Sequence, residues 1–116
     1  MMNSKELTGL CVCPGCVVGK VHLFSNERTQ ENTDNEILIL KYSEPTYAIE
    51  LMQASGVICE NGGRLSHICT IAMEMGIPCI TQVENITKEV SEGMYVSLDA
   101  TNGKVYIFDE GGGKGT

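Results

Sequence analysis

The stretch Glu60-Asn61-Gly62-Gly63-Arg64-Leu65-Ser66-His67 holds the residues best suited to chemistry in this 116-residue chain. Two consecutive glycines permit main-chain conformations closed to other residues and let a second molecule come close to the backbone. Ser66 has the side chain of a helix N-cap and precedes a helical pattern, so His67 falls on the first helical residue. An imidazole there lies beside unpaired N–H groups at the positive end of a helix dipole. The dipole disfavours the imidazolium and favours a negative group on or near the ring by about 0.3–1 kcal/mol. A neutral ring nitrogen attacks phosphorus, an exposed tip reaches a donor, and the helix terminus tolerates the charge of the product. The segment thus reads as a phosphoacceptor, with His67 as the nucleophile and Gly62, Gly63, Arg64 and Ser66 as phosphate-binding or loop-supporting residues. The plainer alternatives are a helix-start histidine without chemistry, a glycine pair that only makes a loop, and a surface Arg64.

Such a loop needs a strand before it and a helix after it. Val57-Ile58-Cys59 is a short apolar run of the kind that forms a buried strand, and Ile68, Ile71, Ala72 and Met75 line one face of a helix that Gly76 and Pro78 stop. Upstream, Ile37-Leu38-Ile39-Leu40 fits a strand buried on both faces, as parallel sheets require. A helix follows it, capped by Ser43, with Pro45 in its first turn and a stripe of Tyr47, Ala48, Leu51 and Met52 ending at Gly56. Residues 77–80 make a third short strand, and residues 17–24 an earlier one in which His22 alternates with Val21 and Leu23 and faces solvent. Val96-Ser97-Leu98 and residues 105–108, joined through Asp99-Ala100-Thr101-Asn102-Gly103, form a terminal hairpin with Asp99 as a turn former. The strand–helix alternation predicts an α/β fold with right-handed crossovers, a short and largely parallel sheet and two main helices. One domain, residues 1–110, is expected, followed by a flexible Gly-rich tail, 111–116.

Eight Lys and Arg stand against 15 Asp and Glu, a formal net charge of -7 that argues against nucleic acid and against a polybasic membrane contact. The apolar runs are too short to span a bilayer and the first residues lack a signal-peptide core, so a cytoplasmic protein is expected. The 6 cysteines should then stay reduced. Cys13 and Cys16 have the gap of zinc ligands, but no second pair answers them, and Cys59, Cys69 and Cys79 read as buried packing residues; no metal site is expected. Between Lys41 and Lys88 the only basic residue is Arg64, set against Glu44, Glu50, Glu60, Glu74 and Glu84. A domain that held a transferring phosphoryl group alone would need more cations or a metal clamp. A partner must bring them.

Gly62-Gly63-Arg64-Leu65-Ser66-His67, the run from Ile71 through Pro78, Glu92-Gly93, Val96-Ser97-Leu98-Asp99 and Gly103-Lys104-Val105 together resemble the phosphohistidine, or mobile, domain of phosphoenolpyruvate-utilising enzymes. That family includes phosphoenolpyruvate synthase, pyruvate phosphate dikinase, enzyme I of the sugar phosphotransferase system and rifampin phosphotransferase. The resemblance implies a single swivelling β/β/α domain whose histidine, here His67, accepts a phosphoryl group and passes it on. It implies an ATP-binding or phosphoenolpyruvate-binding domain or protein in trans, Mg2+ on that partner during transfer, and no cofactor bound by the domain itself. The family commonly has Thr two residues before the histidine, Arg six after it and small residues directly following it; this chain has Leu65, Met73, Ile68 and Cys69 there. The Leu-Ser-His form resembles the rifampin phosphotransferase branch, and Cys13-Pro14-Gly15 stands where the family often has a Ser-Pro-Gly turn. The alternative function is a non-catalytic, degenerate swivelling module with a docking or regulatory role.

Overall fold

In the computed structural model the described residues are 3–23, 36–42, 51, 53–63 and 65–109. They form eight strands, β1 (Asn3–Thr8), β2 (Leu10–Cys13), β3 (Cys16–Leu23), β4 (Glu36–Leu40), β5 (Gly56–Cys59), β6 (Cys79–Thr81), β7 (Tyr95–Asp99) and β8 (Lys104–Asp109). Two helices, α1 (His67–Met75) and α2 (Ile86–Glu89), and a 3-10 turn (Ala100–Asn102) complete them. The sequence-based helix after Ser43 and the Gly-rich tail fall mainly outside the described residues.

All eight strands belong to one sheet in the order β1-β8-β7-β3-β4-β5-β6-β2. The pairs β3–β4, β4–β5 and β5–β6 are parallel. The pairs β1–β8, β2–β6, β3–β7 and β7–β8 are antiparallel. The sheet is therefore large and mixed, where a short and largely parallel one was expected. The difference arises at its flanks. β1 carries the polar sequence Asn-Ser-Lys-Glu-Leu-Thr, without the alternation that marks a strand in advance. β7 and β8 are antiparallel neighbours joined by the 3-10 turn, and β8 carries β1 on its other side. Asp99 caps that turn, its Oδ1 accepting from Asn102 N at 3.2 Å.

The central strands bury both faces, and alternate residues go to two different cores. Ile37, Ile39, Ile58, Ile80 and Val21 pack with Ile86 and Val90 of the α2 segment and with Val96, Leu98, Val105 and Ile107 of β7 and β8. Leu38, Leu40, Val57, Cys59 and Cys79 point the other way and are covered by Leu51 and by Ile68, Cys69 and Ala72 of α1. Each fully buried aliphatic side chain contributes roughly 1.5–3 kcal/mol. The two-residue period of β4 and β5 is thus the device that fixes α1 on one side and α2 on the other.

The edge strands β1 and β2 are separated by Gly9 alone, so one run of chain pairs with β8 and then changes to β6. Gly9 N donates to Gly103 O at 2.9 Å where the two edges of the sheet meet. A Cβ on Gly9 would lie 2.6 Å from both Thr81 O and Val83 Cγ2, so no other residue fits that junction unchanged.

Candidate functional site

The segment after β5 is tied down residue by residue as far as Gly62. Glu60 N donates to Leu40 O at 2.8 Å, and its Oε1 accepts from Thr87 N at 3.0 Å and from Thr87 Oγ1 at 2.5 Å, holding the first turn of α2. Burial works against the Glu60 carboxylate, but the Thr87 bonds, with Lys41 and Lys88 nearby, lower its pKa overall. Asn61 sends both its N–H, at 3.1 Å, and its Nδ2, at 2.9 Å, to Lys41 O. Gly62 adopts φ +127°, a conformation that favours glycine, and its carbonyl accepts from Thr81 Oγ1 at 3.0 Å and Gln82 Nε2 at 3.3 Å. Gly63 is different: a Cβ there would meet nothing within 4 Å. Of the two glycines, only Gly62 is required by the backbone.

Beyond Gly63 the chain turns into α1, with Ser66 N donating to Gly63 O at 3.1 Å and Thr70 N to Ser66 O at 2.9 Å. His67 is the first residue of α1 and is exposed, and Leu65 beside it is 86% exposed. Ser66 occupies the N-cap position in extended geometry, φ -67° and ψ 166°, yet its side chain caps nothing. Its Oγ is buried without a hydrogen-bond partner, and an ionised Cys69 would be the group to draw on it. The expected side-chain capping bond is therefore not made, and the N-cap position is kept in extended backbone geometry. Arg64, assigned above to the phosphoryl group, lies outside the described residues. At the far end Gly76, at φ 71°, closes α1, and Ile77 N reaches back to Ala72 O at 3.0 Å.

Under the first turn of α1 three thiols converge that stand ten residues apart in sequence. Cys59, Cys69 and Cys79 are fully buried in the same core as Cys13. Cys69 accepts hydrogen bonds from Cys59 and then Cys79, which favours its thiolate; donating those bonds, together with burial, pushes the other two thiols up. The residues were legible as core, but their convergence was not, because spacing in sequence says nothing about which strands become neighbours. All 6 cysteines are free thiols, and among the described residues no His, Cys, Asp or Glu grouping could hold a metal ion. Cys16 is exposed and donates to Asp99 Oδ1 at 3.3 Å, while Cys13 is buried.

His22 does not face solvent. It is 5% exposed, with Nδ1 3.0 Å from Glu92 Oε2 and 3.6 Å from Glu36 Oε1, and Glu92 Oε1 also accepts from Leu23 N at 2.8 Å. At this end of β3 the neighbouring residues Val21 and His22, on opposite faces, are both buried, whereas Val18 further back is exposed, so the strand is covered on both faces only around His22.

A polar cleft of about 440 Å3 lies beside the loop, lined by Glu60, Asn61, Gly62, Gln82 and Glu84. A larger groove of about 630 Å3 runs along the β1–β2 junction from Lys5 to Leu10. Among the described residues, His67 lines neither. The imidazole stands on the outer surface, open to a second molecule, and is not sunk in a substrate pocket. No helix among the described residues is long and apolar enough to cross a membrane.

Residues 32–103 match the family of the PEP-utilising enzyme, mobile domain, and the chain belongs to that family. Phosphoenolpyruvate synthase of Pyrococcus furiosus is 33% identical over 101 residues, covering 86% of this chain and 12% of the relative. Rifampicin phosphotransferase of Bacillus subtilis is 28% identical over 102 residues, 88% of this chain and 12% of the relative. The chain thus spans about 12% of the length of these curated relatives. Among solved structures, Enzyme I (nEIt) is 25% identical with a TM-score of 0.56 over 64% of this chain and 31% of that one. Aconitase X of Thermococcus kodakaraensis shares the fold, with a TM-score of 0.69 and 19% identity over 89% of this chain and 98% of that one.

Proposed function

We propose that the chain is a phosphoryl-carrier domain in which His67 accepts a phosphoryl group from a partner and passes it on. The observation that carries this reading is an exposed histidine at the first position of α1, on a loop anchored up to Gly62, in a chain of the PEP-utilising mobile-domain family. A lone pair of the imidazole attacks phosphorus of phosphoenolpyruvate or ATP held by the partner. The P–N bond forms as the P–O bond to the leaving group breaks, and the ring proton leaves to solvent or to the partner. In the second step an acceptor oxygen or nitrogen attacks the same phosphorus, the P–N bond breaks, and the ring takes back a proton from solvent, the partner or the acceptor, which regenerates the neutral imidazole.

The charges that stabilise transfer come from outside the domain. Arg64 is the one cation in the sequence between Lys41 and Lys88, so an ATP-binding or phosphoenolpyruvate-binding domain or protein supplies the remaining cations and the Mg2+. The domain itself binds no cofactor on this reading, and it swivels as a body between donor and acceptor. Six free thiols fit a reducing cytoplasm as its place of work.

Incubation with phosphoenolpyruvate, or with ATP, Mg2+ and cell extract, is expected to add one acid-labile phosphoryl group that His67→Ala loses. Persistent absence of label, or label that survives His67→Ala, overturns the reading. A second reading, a docking or regulatory module without transfer, draws on Leu65 at 86% and Met73 at 45% exposure, apolar groups that favour contact with a partner surface. An unlabelled domain that still binds the partner would establish it.

A further inference from the structure

We infer that Gln82 is a positioning residue for His67, acting through the main-chain carbonyl of Gly62; the inference rests on the phosphoacceptor reading of His67. Gln82 directly follows β6 and has φ 59°. Among the described non-glycine residues only Gln82 and Asn85 have positive φ, a region that L side chains enter at a cost and keep only where their surroundings hold them. Burial does not hold Gln82, whose side chain is exposed. What the conformation achieves is to aim the side chain at the loop: Nε2 donates to Gly62 O at 3.3 Å, beside the bond from the fully buried Thr81 Oγ1 at 3.0 Å.

Two donors satisfy both lone pairs of that carbonyl and fix the plane of its peptide. A continuous path of main-chain bonds then leads to the imidazole. Gly63 O accepts from Ser66 N, and Ser66 O accepts from Thr70 N, the first bond of α1. Upstream, Asn61 is held twice on Lys41 O, so without the two donors to Gly62 O the peptide after Gly62 would be the first place where the loop could yield. Thr81 is locked in the sheet and is present whatever the loop does. Gln82, exposed and on the rim of the polar cleft, is the adjustable half of the clamp. Holding the loop in one arrangement spares the transfer step the cost of ordering it, the usual gain from supporting a reactive group by a second layer of bonds.

Two substitutions separate positioning from stability. Gln82→Gly removes the amide and suits φ 59° better than glutamine does; Gln82→Met keeps the length and the left-handed backbone but donates nothing. Both are compared with the unaltered chain by amide exchange over residues 61–66, by imidazole 15N resonances of His67, and by labelling with phosphoramidate, a small phosphoryl donor that needs no partner. Loss of one hydrogen bond is expected to speed loop exchange about two- to tenfold in both variants. The ring resonances should broaden or shift, and His67 labelling should slow by a similar factor. The thermal midpoint of Gln82→Gly should equal or exceed that of the unaltered chain. Unaltered exchange, ring resonances and labelling in both variants overturn the inference, as does a loss confined to the thermal midpoint. If phosphoenolpyruvate and ATP, with Mg2+ and cell extract to supply the partner, fail to label the unaltered chain while exchange and ring resonances respond to Gln82, the carrier reading falls and the clamp stands.

Discussion

At the scale of single residues the site separates position from side-chain role. Ser66 sits where a cap belongs but leaves its hydroxyl unbonded, so Ser66→Ala should change stability by less than about 0.5 kcal/mol, against the ~1 kcal/mol that a working cap loses. Urea denaturation measures it, and a loss near the larger figure would restore the cap. Glu60 behaves oppositely. Its pKa is lowered in the folded state, so the unfolded chain binds more protons in acid, and the stabilisation present above about pH 4.5 is lost as pH falls through and below that value. Glu60→Gln should flatten this part of the stability–pH curve. The place of His67 was legible because serine, glycines and an apolar helical period agree on where the helix begins. The burial of His22 was not, because alternation along a strand does not say how many of its faces are covered.

At the scale of elements, glycines report which backbone positions are committed. Gly9→Ala should cost about 1–3 kcal/mol by driving a methyl group into Thr81 O and Val83 at the β1–β2 junction. Gly63→Ala should leave the thermal midpoint nearly unchanged, since open space surrounds that position. A large loss at Gly63 or none at Gly9 would contradict the packing described. Gly62, at φ +127°, belongs with Gly9 despite being the sequence neighbour of Gly63. The interior strands β4 and β5 announce themselves as unbroken apolar runs, while β1 is polar and β2 is only four residues long, so both escape detection by pattern. α2 escapes for a similar reason, since its four residues are shorter than two helical turns and are held by Glu60 from another element.

At the scale of the whole molecule, two cores share one sheet, and the loop bearing His67 is tied to both sides of it. Glu60 reaches α2, while Cys69 and Ile68 root α1 in the opposite core. The family resemblance was legible in ordered motifs, but the mixed sheet was not, because pairing partners such as Asn3 and Asp109 lie at opposite ends of the sequence. That pairing also governs how the domain would be suspended. Paired residues in an antiparallel ladder lie about 5 Å apart, so polypeptide entering at Asn3 and leaving at Asp109 passes through a single gate. Joining these ends by a short peptide should raise stability by on the order of 2–4 kcal/mol without changing His67 labelling, and a lowered thermal midpoint would show that the ends are not neighbours. In a longer chain, two strands that enter and leave side by side would act as one tether, so that a pull along that chain would fall on this one pair of ends and not across the sheet.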